Sequence, residues 1–348
     1  MHRLYFKSRL CTIAATLVLA GGPVLQAQDS AGGGKFSSDI LGGAALIFRK
    51  PENPPLHAKG AGLSSAGGGR VAERPGLRSL AKAEDQMIAN GNAARSAATP
   101  RYTEAEQQYK QAASVAPDDA RGFAGLGNVF LDQNRFADAV EQYSQAIKLR
   151  PDYTDAKLPL GYALVRLNRY AEAITIYNQT LKLDPDNPEI HNNLGYLYNH
   201  IESYTEAVAA CQRAISLLGQ AGGAYKQGYQ THTEVLSHAY KNLGNAYNGM
   251  KQYQEAIVAL KQAAEIEPRS AAAHFNLGLA YFNASEYVAA VEAYQQALKI
   301  KPGLPAAHFN LGLAYIALRN PTAALEQYNA LMGLNPQMAD QLFSMIKK

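Results

Sequence analysis

Histidine is the first residue type in this sequence whose spacing could serve chemistry. His274 and His308 lie 34 residues apart inside two identical stretches, AHFNLGLAY, and His191 holds the corresponding place in an earlier segment. Aligned imidazoles could bind zinc, whose nitrogen ligands lie about 2.1 Å from the metal. Packed helices are about 10 Å apart, so histidines on successive helices are too distant to share one ion. The pattern therefore favours packing over metal binding.

The remaining candidates for catalysis do not form a recognisable site. The stretch HTEVLSH at 232–238 differs from the zinc motif HExxH in both its spacing and the place of its acid. The chain has no GxGxxG or GxxxxGK[ST] phosphate loop. Cys211 holds a place where other segments have Tyr or Leu, which indicates a core residue. The sequence thus predicts a protein that is not an enzyme and that uses no cofactor or metal.

Asparagine recurs more regularly than any catalytic residue type. The same place in four segments is filled by Asn193, Asn242, Asn276 and Asn310. An asparagine side chain carries a donor and an acceptor, which matches a peptide backbone without reading its side chains. Alternatively, asparagine is common at this place because it helps each segment to fold. Both interpretations remain open at the level of sequence.

A 34-residue period beginning at Ala120 positions these side chains. Six units have Leu at the seventh place, Gly at the eighth and Ala at the twentieth, and five have Pro at the thirty-second. The glycines are Gly127, Gly161, Gly195, Gly244, Gly278 and Gly312. Because Gly and Ala have little or no side chain, two antiparallel helices can approach closely, while Pro ends the second helix. One unit cannot bury both of its faces, so the units must stack.

These columns resemble the tetratricopeptide repeat, a helix–turn–helix unit. The resemblance implies an all-α fold, a tetratricopeptide-repeat solenoid in which antiparallel helix pairs form a right-handed superhelix. The predicted array spans 79–338, with a degenerate unit at 82–119 and regular units at 120–153, 154–187, 188–221, 237–270, 271–304 and 305–338. Residues 339–348 are predicted to belong to a capping helix that begins near Pro336, because apolar residues there follow helical spacing.

The resemblance also implies a concave groove lined by the first helix of each unit, at places two, five, six, nine and twelve. A family groove of this kind binds an extended peptide or a partner protein. The predicted groove is polar in its middle and aromatic near its C-terminal end. Its predicted residues are Asn192, Asn193, Asn199, Lys241, Asn242, Asn245, Asn248, Phe275, Asn276, Phe282, Phe309 and Asn310.

A more specific family site, the clamp for a terminal carboxylate, is matched only in part. Lys241, Asn245 and Asn276 stand where the clamp has its first Lys and its two Asn. Ala306 and Asn310 stand where the clamp requires two basic residues. The sequence therefore does not support recognition of a C-terminal carboxylate in the family's usual manner.

Fifteen residues at 222–236 interrupt the period. Tyr225, Tyr229, His232 and Leu236 continue the apolar stripe of the following helix backwards, which predicts a helix lengthened by about three turns. Such a protrusion could serve as a partner site, or it could be a tolerated insertion without a role.

The N-terminal quarter has the composition of an export signal followed by a tether. Residues 1–27 combine a basic start, an apolar run of eleven residues and a small residue before Gln28, typical of a cleaved signal peptide. The alternative is an uncleaved anchor. Residues 28–78 are rich in Gly, Pro, Ala and Ser and are predicted to be a disordered linker. A more apolar patch within it, Asp39–Phe48, could dock on the array or on a partner.

Charge argues against nucleic acid as the partner. The formal charge of +4 is concentrated in residues 1–80, which hold ten Lys and Arg against four Asp and Glu, so the rest of the chain is near neutral. A nucleic-acid-binding solenoid would need a basic stripe. The sequence predicts an exported, periplasmic or secreted scaffold that binds peptides or proteins and has no membrane span after cleavage. The alternative is an accessory subunit of an envelope secretion or polysaccharide machine whose catalysis lies in another chain.

Overall fold

The computed structural model describes residues 75–221, 226–227 and 230–347, with side chains described for 80–220 and 232–347. The predicted signal peptide, nearly all of the predicted linker and the patch at 39–48 lie outside the described residues. Within these limits the chain forms fifteen α-helices and one short antiparallel hairpin. No helix in this part of the chain is long and apolar enough to cross a membrane.

The helices alternate with short turns. In chain order they are α1 (Pro75–Arg95), α2 (Tyr102–Val115), α3 (Ala120–Asp132), α4 (Phe136–Leu149), α5 (Thr154–Arg166), α6 (Tyr170–Leu181), α7 (Pro188–His200), α8 (Tyr204–Ala221), α9 (His232–Gly249), α10 (Tyr253–Ile266), α11 (Ala271–Asn283), α12 (Tyr287–Ile300), α13 (Pro305–Ala317), α14 (Pro321–Leu334) and α15 (Pro336–Ile346). Strands β1 (Lys226–Gln227) and β2 (Gln230–Thr231) precede α9. The first helices of five regular units begin at the first residue of the predicted unit.

The chain divides into two compact units, and the boundary falls between Ala239 and Tyr240, inside α9. In the first unit α1 to α8 pack each against the next along the chain. In the second, α10 to α15 do the same. Sequential packing of this kind is the pattern of a stacked repeat array.

The glycine column brings the two helices of each repeat together. A Cβ added to Gly278 would lie 2.6 Å from the ring of Tyr294, and one added to Gly127 would lie 2.7 Å from the ring of Tyr143. In the last repeat the side chain that packs over Gly312 is Leu342, which comes from α15. The terminal helix α15 therefore covers a surface that a second helix covers in earlier repeats.

The buried tyrosines beside these glycines differ in how their hydroxyl groups are satisfied. Tyr143 Oη donates to Asn128 Oδ1 at 2.7 Å, and Tyr177 is hydrogen-bonded to Asn193. Tyr294 is fully buried in a cluster of apolar side chains, and its Oη has no hydrogen-bond partner among the described residues. Burial raises the pKa of all three phenols, so none of them ionises at neutral pH.

The turn between the two helices of a repeat uses one left-handed residue. The fifteenth place has a φ between 58° and 64° in all six regular units, at Asn134, Asn168, Glu202, Lys251, Ser285 and Arg319. Only two of these are Asn, a residue that tolerates this region well. The turn geometry is thus imposed on Glu, Lys, Ser and Arg by the packing of the helices on either side.

Two predicted boundaries need correction. The predicted linker ran to residue 78, but α1 begins at Pro75, because proline is well suited to the first position of a helix. The predicted three-turn extension before Ser237 is shorter, since α9 starts at His232. Residues 226–231 include a β-ladder instead. Thr231 is β-branched, a residue type that favours a strand over a helix interior, and it pairs with Lys226. Tyr225 and Tyr229 lie outside the described residues.

Candidate functional site

The four asparagines at the sixth place are buried. Their exposed fractions are 4% for Asn193, 0% for Asn242, 1% for Asn276 and 6% for Asn310. Asn310 Nδ2 donates to the backbone oxygen of Ala306, in its own helix, at 2.8 Å. Side chains this inaccessible cannot offer both a donor and an acceptor to a peptide while the helices keep this packing. The geometry therefore supports the folding role that the sequence left open.

The aromatic residues predicted for the groove also belong to the core. Phe275, Phe282 and Phe309 are each 3–4% exposed and lie in the apolar cluster of the second unit. The ring of Phe275 packs 5.8 Å from that of Tyr294, and the ring of Phe282 lies 5.3 Å from that of Tyr287. In this packing the three phenylalanines join neighbouring helices rather than face solvent.

Lys241 illustrates why the carboxylate clamp is incomplete. This lysine is 4% exposed, and its Nζ lies 3.7 Å from Glu267 Oε2. Its charge is therefore already balanced within the chain. Ala306, where the clamp needs a basic residue, is itself buried.

Three predicted groove residues remain partly accessible. Asn199 in α7 and both Asn245 and Asn248 in α9 are half-buried. Asn248 Oδ1 accepts a hydrogen bond of 2.9 Å from Asn283. Asn192, by contrast, is fully buried and its amide lies 3.4 Å from Asn193 Oδ1. Only the half-buried three have surface with which to contact a ligand directly.

The aligned histidines connect successive repeats. Nε2 of His191, His274 and His308 donates to the carbonyl oxygen of the proline six residues earlier, at 2.9, 3.0 and 2.9 Å. The carbonyls belong to Pro185, Pro268 and Pro302. These hydrogen bonds tie each histidine to the turn that precedes its own helix. Among the described residues no cluster of His, Cys, Asp and Glu could hold a metal.

Cys211 is the core residue that its position predicted. Its side chain is fully buried and covers Gly195. Burial raises the pKa of its thiol well above the usual range, so the reactive thiolate does not form at neutral pH.

A buried acidic cluster, absent from the sequence-based expectations, lies in the first unit. Arg121 contacts three carboxylates, Glu84 at 3.1 Å, Asp85 at 2.7 Å and Asp119 at 3.0 Å. Burial, followed by the charge of Asp119, raises the pKa of Glu84 to about 7. Three acids sharing one arginine leave excess negative charge, so a proton on Glu84 relieves their repulsion. Asp119 also accepts a hydrogen bond from the Arg121 amide at the start of α3.

One partly accessible constellation in the described residues is a set of packed rings around Arg166 and His200 that repeats at an interval of 34 residues. In its first half, Arg166 stacks over Phe136 at 4.4 Å and donates to the Tyr162 hydroxyl at 2.8 Å. The rings of Phe136 and Tyr162 meet edge to face at 6.4 Å. Arg166 is exposed, and the two rings are half-buried.

In the second half, His200 occupies the place of Arg166. Its ring is exposed, stacks on the half-buried Tyr170 at 5.2 Å and lies 4.5 Å from the ring of Tyr196, which is buried beneath it. Packing between the rings lowers the pKa of the His200 imidazole, so it is neutral at pH 7. We call the two halves together the aromatic strip, consisting of Phe136, Tyr162, Arg166, Tyr170, Tyr196 and His200. Tyr162 and Tyr196 hold the ninth place, which the family resemblance assigns to the groove. The tyrosines at this place are the feature of the sequence from which the strip could have been predicted.

Comparison with known families identifies the fold. Residues 127–168, 161–199, 244–285 and 280–318 match the family described as TPR repeat, and residues 188–217 and 305–338 match the family described as tetratricopeptide repeat. Together these ranges cover more than half of the chain. The chain is a tetratricopeptide repeat protein. The all-α solenoid class predicted from the sequence is confirmed.

Solved structures similar to this tetratricopeptide repeat protein share its fold at low sequence identity. A tetratricopeptide repeat protein from Parabacteroides merdae has 14% identity and a TM-score of 0.57, with 77% of this chain and all of that chain covered. PilW, a type IV pilus biogenesis factor, has 19% identity and a TM-score of 0.56, with coverage of 64% and 98%.

A chain of the APC/C hetero-tetramer Cut9–Hcn1 has 17% identity and a TM-score of 0.55. The alignment covers 78% of this chain and 52% of that one, so this chain spans about half its length. Among curated proteins, none matches the sequence.

Proposed function

We propose that this tetratricopeptide repeat protein is a non-catalytic scaffold that binds an extended segment of a partner protein along the first helices of its repeats. The observation that carries the proposal is the aromatic strip, in which an exposed Arg166 and an exposed His200 are held on rings in successive repeats. Tyrosine and arginine are enriched in the energetically dominant parts of protein interfaces. A structurally similar chain occurs in a complex of two different proteins, Cut9 and Hcn1.

The asparagines enter this proposal in two ways. Asn199, Asn245 and Asn248 are proposed to contact the partner, because each keeps accessible surface. The buried asparagines, such as Asn242, are proposed to fix the helices that present these contacts. Asn193, Asn276 and Asn310 are assigned to the same supporting group, as are Phe275, Phe282 and Phe309.

Site-specific crosslinking tests the proposal. A photo-reactive residue in place of Tyr162 would lie on the aromatic strip, whereas one in place of Gln179 would lie on an exposed part of α6. We expect discrete crosslinked proteins, identified by mass spectrometry, from position 162 and none of these from position 179. Equal labelling from both positions, or none from position 162, would contradict binding at the strip.

We also propose that the protein is exported. The support is the basic, apolar and small-residue pattern of residues 1–27. N-terminal sequencing of the purified protein should begin near Gln28. An intact Met1 in envelope material would instead indicate an uncleaved anchor.

A second candidate function is that of an accessory subunit in an envelope machine. Its support is the structural similarity to PilW and to PilF of Pseudomonas aeruginosa, the latter with 18% identity and a TM-score of 0.53. Sedimentation of detergent-solubilised envelopes would separate the two candidates. An accessory subunit should co-sediment with a large complex, whereas a free scaffold should sediment with its partner alone.

A further inference from the structure

Arg166 is an exposed cation that the fold holds in place without a balancing charge. Its guanidinium is fixed by the Phe136 ring at 4.4 Å and by the Tyr162 hydroxyl at 2.8 Å. Among the described residues no carboxylate lies within ion-pair distance of it. The buried arginines of the same unit differ, since Arg95 pairs with Asp132 at 2.8 Å and Arg121 contacts three acids.

The way in which Arg166 is held leaves its hydrogen-bonding edge available. A guanidinium has five N–H donors in its plane, and the structure uses one of them for Tyr162. Stacking on Phe136 occupies a face of the group and not its edge. The remaining donors match the two oxygens of a carboxylate, and because the side chain is already ordered, less entropy is lost on binding.

The next repeat offers a neutral site at the equivalent place. His200 is 34 residues from Arg166 and lies between the rings of Tyr170 and Tyr196. Because the packed imidazole is uncharged at pH 7, this second position favours an apolar or aromatic side chain over an acid. Packed helices are about 8–10 Å apart, and an extended chain advances about 3.3 Å per residue. Two side chains that occupy these positions are therefore about three residues apart.

We propose that the aromatic strip recognises an extended partner segment with an acidic side chain at Arg166 and an apolar or aromatic side chain about three residues away, against Tyr170 and His200. The inference rests on the proposed function, because it specifies the segment that the scaffold binds. A carboxylate is favoured over a phosphate, since phosphate groups carry more charge and are usually held by clusters of arginines.

The test is a selection of peptides on the full-length protein. Blocked decapeptides with eight randomised positions are selected on immobilised wild-type protein, and the enriched sequences are resynthesised with a fluorophore for anisotropy titrations. We expect enrichment of Asp or Glu with an aromatic or large apolar residue three positions away. Replacing that acid by alanine should weaken binding by up to about fivefold, the upper end of the range expected for an exposed ion pair.

Three variants assign this preference to Arg166. Arg166→Gln should lose the preference for the acidic peptide over its alanine variant, and Arg166→Lys should retain only part of it, because lysine keeps the charge and lacks the planar fork. Arg269→Gln, at an exposed arginine outside the strip, is the matched control and should behave as the wild type. Far-UV circular dichroism should be unchanged in all three.

The possible outcomes separate the inference from the proposed function. Selection of peptides without an acid, or an acidic preference that survives in Arg166→Gln, overturns the inference and leaves peptide binding intact. Failure of wild-type protein to select any peptide contradicts peptide binding itself. Loss of the acidic preference in Arg269→Gln as well would show a general charge effect and would also overturn the assignment to Arg166.

Discussion

Two tyrosines at the same place in their repeats should respond in opposite directions when their hydroxyl groups are removed. Tyr143 Oη donates to Asn128 Oδ1 at 2.7 Å, and both residues are buried. Tyr294 is equally buried, but its Oη has no partner among the described residues. The place that Asn128 holds is occupied by Leu279 in the repeat of Tyr294.

The magnitudes follow from the hydrogen bonds. Tyr143→Phe should lower the free energy of unfolding by about 1–2 kcal/mol, because it removes a buried bond and leaves Asn128 with one donor fewer. Tyr294→Phe removes a buried hydroxyl whose unmet desolvation costs about 1–3 kcal/mol, so stability should stay constant or rise. The two substitutions remove the same atom, and their effects should differ by about 1 kcal/mol or more.

Urea unfolding and hydrogen exchange on the full chain would measure this difference. Stacked repeats do not always unfold together, so exchange in α3 and α4 reports on Tyr143, and exchange in α11 and α12 reports on Tyr294. Tyr177→Phe should follow Tyr143→Phe, because Tyr177 is hydrogen-bonded to Asn193. Equal destabilisation by Tyr143→Phe and Tyr294→Phe would refute the reasoning, since it would mean that the Tyr294 hydroxyl is satisfied in solution.

Four further substitutions test other contacts. Gly278→Ala places a Cβ 2.6 Å from the Tyr294 ring, so overpacking should lower the free energy of unfolding, measured in urea, by about 1–3 kcal/mol. Gly333→Ala is the matched control: the space around Gly333 is open, so the free energy of unfolding should rise by about 0.5–1 kcal/mol. Glu84→Gln should stabilise the protein at pH 8 and have little effect at pH 5. The folded-state pKa of Glu84 is raised above its ordinary 4.5 to about 7, so its stabilising contribution is complete below pH 4.5 and is lost as pH rises through 7. Equal effects at both pH values would contradict this. Asn276→Ala should lower the free energy of unfolding by about 1–3 kcal/mol, and with it the melting temperature, even without a ligand, because the side chain is 1% exposed. An unchanged melting temperature would instead support a role of Asn276 in binding.

The fold could be predicted from the sequence because the same packing residues recur in every regular repeat. Gly at the eighth place and Ala at the twentieth recur in every regular repeat, where its two helices touch, so their period indicated helix starts such as Thr154, Pro188 and Ala271. The insertion had no second copy for comparison. The spacing of its tyrosines predicted a helix, whereas residues 226–227 pair with residues 230–231 as two short strands.

The candidate site was harder to predict, because period shows which residues are equivalent and not which way they point. Asn242 and Asn276 recur as regularly as a binding ladder would, yet both are buried. The aromatic strip depends on contacts between one repeat and the next, such as Tyr170 with His200. Single-sequence counting within a unit does not pair residues from different units, so these contacts became apparent only in three dimensions.

The bond from histidine to the preceding proline carbonyl has a consequence for how arrays of this kind change length. The repeat 271–304 contributes one donor and one acceptor to these bonds: His274 donates to Pro268 of the preceding repeat, and Pro302 accepts from His308 of the following repeat. If that repeat were excised, His308 would follow Pro268 by six residues and could form the same bond. If the repeat were duplicated, one further histidine–proline bond would be added. Genetic recombination in steps of 34 residues can therefore lengthen or shorten the protein without leaving an unmatched junction, and the two copies of AHFNLGLAY are the expected mark of such an event.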